Sequence, residues 1–147
     1  MNSKCLQLLK ELYATNFVAY YNAHVSHFNV EGTNFVPDHE LFGEVYDYLY
    51  DNHDSLGEQI RQADKPVFTA ISDILKASCI DELLTTPVVD GKLLAASLNK
   101  DLEAIIKLGN ELYSMAEPAL ETYIGDYLVG VNKLNWKLKA VLKRSVK

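Results

Sequence analysis

Apolar positions recur at helical spacing along nearly the whole chain. Leu9, Leu12, Tyr13, Phe17, Tyr20 and Ala23 fall within one broad stripe, with Lys4, Glu11 and Asn22 opposite. This pattern predicts a first helix from about Ser3 to Asn29, stopping near Gly32. A second is expected after Pro37, with Asp38 near its start, and it ends before Pro66. Its core face is Leu41, Phe42, Val45, Leu49, Leu56 and Ile60. Between Pro66 and Pro87, FTAISDILKASCIDELL leaves room for a short helix and turns. Two further long helices are predicted, from about Lys92 to Met115 and from Pro118 to Lys143. Gly109, Gly125 and Gly130 weaken the helical signal locally. Strand-like alternation, repeats and low-complexity segments are absent from the pattern.

The connections organise these helices. Helices one and two are joined by a short turn, as are the last two long helices, so each pair should run antiparallel. A long crossover carrying the short helix separates the pairs. The predicted architecture is all-α, a ferritin-like four-helix bundle in one domain spanning residues 1–147.

Composition narrows the function classes. A net charge of −6 argues against a basic nucleic-acid surface. The exception is the tail, with Lys137, Lys139, Lys143, Arg144 and Lys147, where basic residues complement the end of a helix dipole. No apolar run is long enough for a membrane span, and MNSKCLQLLKEL does not read as a signal peptide. Cys5 and Cys79 form no CxxC pair and read as two free thiols, buried or half-buried, in a reducing, cytoplasmic setting.

The stretch HFNVEGTNFVPDHE places His27 and His39 twelve residues apart around a glycine-containing turn. Histidine is the commonest metal ligand, yet two histidines alone make no site. His27 lies near the middle of the first helix's apolar stripe, where a packing role is the simpler reading. In the second helix Asp54 and Glu58 stand at i and i+4 and share a face. Taken alone, they read as solvated surface. Both point away from the apolar stripe, whereas His39 and Gly43 lie on its flank, which disfavours a site inside the subunit's own core. The histidines could instead meet carboxylates of a second subunit across a two-fold axis. No Glu is followed three residues later by His, so the di-iron motif of related bundles is missing.

These residues carry a resemblance. HFNVEGTNFVPDHELFGEVYDYLYDNHDSLGEQIR, His27 to Arg61, resembles the signature of the Dps family, the dodecameric mini-ferritins. The matching elements are His27-Phe28-Asn29-Val30, the turn from Gly32 to Phe35, His39-Glu40-Leu41-Phe42, and Asp54 to Glu58 followed by Ile60 and Arg61. Asn135-Trp136-Lys137-Leu138 is similar to the family's closing segment. The resemblance implies a ferroxidase centre between subunits, with metal ligands His27 and His39 from one chain and Asp54 and Glu58 from its two-fold partner. It implies Fe(II) and hydrogen peroxide as substrates, with ferric iron stored in a hollow homo-dodecamer built from two-fold dimers. Mixed imidazole and carboxylate ligation suits iron, and Zn2+ could substitute. Two positions depart from the family pattern. Gly43 stands where members commonly carry an acid, removing an oxygen from a second iron position. Phe28 replaces the usual tryptophan, a better electron donor.

Other residues have simpler expectations. His24 has ligand-compatible spacing to His27, and His53 reads as structural. Tyr46 and Tyr50 are candidates for the two-fold interface, Trp136 for a helix interface, and Glu117, Glu121 and Asp126 for a pore lining. Two further readings compete with the enzyme. One is a Dps-like shell that binds DNA with little ferroxidase activity, disfavoured by the nearly uncharged N-terminus. The other is a helical assembly whose ligand residues are vestigial.

Overall fold

The computed structural model describes residues 1–83 and 86–143. They form five helices: α1 Ser3–Asn29, α2 Phe35–Gln62, α3 Ile71–Ala77, α4 Gly91–Met115 and α5 Pro118–Leu142. Arg144 and Lys147 of the basic tail lie outside the described residues.

Local chemistry sets the boundaries. Asn2 caps α1 by accepting from the Cys5 N–H at 2.8 Å, and Asp90 caps α4 by accepting from Leu93 N–H at 2.9 Å. Pro118 begins α5, where its missing N–H costs nothing. α2 starts at Phe35, earlier than its sequence suggested. Pro37 sits inside the first turn, among backbone positions that have no intrahelical N–H partner anyway.

α1 packs along α2 and α4 along α5, and the two hairpins join chiefly through α1 against α4. The crossover carries α3 onto α1, then returns to the α1–α2 turn, where Glu31 N–H donates to Val89 O at 2.9 Å. Leu9, Leu12, Ala23, Phe42, Val45, Leu49, Leu56 and Ile60 are fully enclosed with Leu102, Ile105, Ile124 and Leu138. Phe17, Tyr20 and Leu41 are only half-buried at the margin of this core.

Three expectations change. Asn22, placed opposite the core by periodicity, is buried. It donates to Asp101 Oδ2 and to Asp81 O, both at 3.0 Å, and accepts from Leu83 N–H at 3.1 Å. The crossover covers that helix face, and a hydrogen-bonding side chain is what lets it do so. Cys5 is buried as expected, but Cys79 is exposed; both are free thiols. Trp136 is 61% exposed, so it occupies no helix interface within this chain. Among the described residues, no helix is long and apolar enough to cross a membrane.

Candidate metal centre

His27 lies in the last turn of α1, and His39 near the start of α2. The turn between them passes through Gly32, whose φ of +116° is a left-handed conformation that side-chain-bearing residues rarely adopt. The reversal brings the imidazoles face to face, 3.7 Å between centroids and 18° from parallel. His27 Nδ1 lies 2.7 Å from His39 O, and His39 Nδ1 lies 2.7 Å from His27 O. A carbonyl only accepts, so each Nδ1 carries the proton. In the neutral ring this leaves Nε2 bare, with its lone pair free to bind a metal. Phe35 stacks on His39 at 4.9 Å, and Tyr46 sets its edge against His27 at 5.1 Å.

Gly43 faces this pair. A Cβ at position 43 would lie 3.1 Å from His27 Nδ1, tighter than ordinary contact. The glycine therefore does more than omit an acid: it makes room for the His27 ring.

Asp54 and Glu58 are both exposed, on the rim of a shallow depression shared with Tyr13, His53, Gly57, Arg61 and Val67. The Glu58 carboxyl is pushed above its ordinary value by a hydrogen bond with Asp54 and by that neighbour's charge. Two neighbouring carboxylates repel each other, and a cation between them relieves that repulsion. Fifteen residues separate His39 from Asp54, about 22 Å along a helix. Among the described residues of one chain, no three His, Cys, Asp or Glu side chains gather into a metal-binding group. The four expected residues thus form two pairs, and one chain does not unite them.

The remaining candidates sort by their contacts. His53 stacks on Tyr13 at 4.7 Å and meets Phe17 at 5.2 Å. Burial lowers its pKa despite the nearby Asp54 charge, the signature of a neutral packing residue. Tyr46 is half-buried against His24, while Tyr50 projects at 58% exposure. Phe28 is exposed and stacks on His24 at 4.6 Å. Glu117 precedes α5 without a capping side-chain bond and Glu121 lies in its first turn, where acids suit the helix dipole. Sequence periodicity missed the Tyr20–His24 pair, whose hydroxyl and Nδ1 lie 3.1 Å apart. Its only signal was the i,i+4 spacing.

A ferritin-like domain family matches residues 6–145. A DNA protection during starvation protein of Helicobacter pylori is 30% identical over 95% of this chain and 99% of its own length. The chain belongs to the Dps family of ferritin-like proteins. Solved structures agree. The Helicobacter cinaedi protein CAIP aligns at TM-score 0.84 and 30% identity over 95% of this chain and 99% of that one. The Vibrio cholerae Dps protein, described as a member of a broad superfamily of ferritin-like diiron-carboxylate proteins, aligns at TM-score 0.87 and 29% identity over 95% and 89%.

Proposed function

We propose that this Dps-family chain is a mini-ferritin that oxidises Fe(II) with hydrogen peroxide at centres shared between subunits. It stores the ferric product inside a hollow cytoplasmic dodecamer and so limits oxidative damage. One observation carries the reading: the reciprocal Nδ1-to-carbonyl bonds of His27 and His39 leave two Nε2 atoms bare, with no third ligand among the described residues of their own chain. Asp54 and Glu58, exposed and one helical turn apart, are the complementary half. A two-fold axis crossing α2 midway between His39 and these acids would set each histidine pair against the partner's carboxylates. Tyr50 and Tyr21, exposed large aromatics on α2 and α1, supply apolar surface for that contact.

Two imidazoles and two carboxylates suit Fe(II), leaving coordination positions for the oxidant, and Zn2+ competes for the same donors. Gly43 contributes no oxygen, so the centre is built for one tightly held iron. The protein residues orient the donors; oxidation of the bound substrate iron is the chemistry the site supports.

The test is anaerobic Fe(II) loading followed by peroxide, with sedimentation measured on the same samples. Wild type should form an oligomer and develop ferric absorbance, while His39→Ala and Asp54→Ala each oxidise iron far more slowly. Equal rates in both variants would remove these residues from the site. A stable monomer that still oxidises iron would exclude the shared centre.

A second reading, a shell that binds DNA, draws on the relative's name and on the exposed Lys133, Lys139 and Lys143 of α5 and its end. Phosphate-driven binding weakens steeply with salt. No gel retardation even at low salt would dismiss it.

A further inference from the structure

Sulfur gathers at the end of the bundle remote from the histidine pair. A cavity of about 270 Å³ opens where the start of α1, the end of α2 and the α4–α5 turn meet. Met1, Cys5 and Met115 line it, together with Gln59, Gln62 and Glu117. These are both methionines of the chain and one of its two cysteines. Twenty-two residues separate Cys5 from His27, about 33 Å along α1. The Asp54–Glu58 depression shares no lining residue with this cavity.

The three side chains are held at different depths. Cys5 is 2% exposed, and its N–H donates to Asn2 Oδ1 at 2.8 Å. That cap, with Leu6 N–H donating to Asn2 O at 3.1 Å, fixes the residue next to Met1. Met115 ends α4 and is half-buried, while Met1 is 53% exposed. Methionine often fills gaps in a core, but a gap-filler is enclosed, and Met1 is not. Buried, half-buried and exposed sulfur around one cavity is instead the layout of a site that admits a soft ion from solvent.

Ligand chemistry narrows the ion. Thiolate and thioether sulfur are soft donors that select Cu(I). Protein zinc sites use thiolate, imidazole and carboxylate, so two thioethers do little for that metal. Burial pushes the Cys5 thiol above its ordinary value, so it keeps its proton until a metal displaces it. Glu117 brings a carboxylate to the same cavity, which favours a cation there.

We propose that Met1, Cys5 and Met115 form a Cu(I) site. The proposal is independent of the ferroxidase reading. On binding, the Cys5 S–H bond breaks, a Cu–S bond forms and the proton passes to solvent. The thioethers donate lone pairs and lose nothing. No electron moves, and the metal enters and leaves as Cu(I). Cu(I) is commonly satisfied by three sulfur donors, so such a site holds copper instead of presenting it to an oxidant.

The assembled protein, reduced and anaerobic, is titrated with Cu(I) against a chromophoric copper chelator. His39→Ala, whose histidine pair no longer competes for copper, is the parent for this titration and should withdraw one Cu(I) per chain. Selenomethionine labelling keeps the side-chain shape and marks positions 1 and 115. X-ray absorption at the copper edge should then show sulfur and selenium neighbours together. Adding Cys5→Ser should weaken Cu(I) binding by roughly a hundredfold, and Met115→Leu, close in volume, by about tenfold. Sedimentation and thermal midpoints near those of the parent confirm that both variants are assembled. A copper shell without selenium, affinity unchanged by Cys5→Ser, or copper left wholly with the chelator would each overturn the site. None of these outcomes bears on the iron centre.

Discussion

His27 and His39 lock each other by their backbones, each ring Nδ1–H donating to the other residue's carbonyl at 2.7 Å. The exchange ties the end of α1 to the start of α2 and fixes both tautomers before any metal arrives. His39→Phe keeps an aromatic ring in the stack but removes one donor and one Nε2. The lost hydrogen bond should cost about 1 kcal/mol of stability, a modest shift in thermal midpoint. Metal affinity, measured by calorimetry with Zn2+ as a redox-inert probe, should fall by roughly a hundredfold or more. Unchanged Zn2+ affinity would mean that these rings serve packing only.

Gly43 separates stability from binding. Replacing it with alanine gains about 1 kcal/mol of helix propensity. The new methyl, 3.1 Å from His27 Nδ1, must push the ring aside by a few tenths of an ångström. Gly43→Ala should therefore melt within a few degrees of wild type while Zn2+ affinity drops by about tenfold. A variant that binds as tightly as wild type would show that the ring position is not critical.

The legible part of this protein was whatever repeats along a helix. Five helices and the crossover followed from apolar spacing and from Pro37, Pro66, Pro87 and Pro118. The two histidines and two carboxylates were singled out by spacing and resemblance, because side chains on regular helices keep their offsets. What stayed hidden depends on contacts between distant segments. Asn22 looks like a surface residue until the crossover folds over it. Gly43 reads as a missing acid until the His27 ring is seen against it. The mutual backbone bonds of the histidines have no sequence signal, since any residue supplies a carbonyl.

Asp101 makes stability depend on pH. Burial raises its carboxyl to about 6, outweighing the hydrogen bond from Asn22. The folded state thus keeps a proton that the unfolded chain, with an aspartate pKa near the ordinary value of about 3.9, has already released. Stability from this group is complete below the unfolded pKa and is lost as pH rises through about 6. Asp101→Asn, which cannot ionise, should remove the dependence. The difference between wild type and variant, from urea melts, should change by about 2 kcal/mol between pH 4 and pH 7, in the variant's favour at the higher pH. Parallel pH curves would mean that Asp101 ionises freely in the folded protein.

Gly130 is a glycine whose reason is a neighbouring helix. The Tyr48 ring of α2 lies directly over it, and a Cβ there would collide with the ring's Cζ and hydroxyl. That hydroxyl donates to Tyr127 O at 2.9 Å, joining the two hairpins. Gly130→Ala should gain about 1 kcal/mol of helix propensity. It should also displace Tyr48, losing a hydrogen bond of about 1 kcal/mol and overpacking the contact by about 1–3 kcal/mol. The net effect in wild type is destabilising by roughly 1–3 kcal/mol. In a Tyr48→Ala background the obstacle is gone, and the same substitution should stabilise by about 1 kcal/mol. A double-mutant cycle from denaturant melts reads this reversal of sign directly. Equal effects in both backgrounds would show that Tyr48 is not what holds position 130 to glycine.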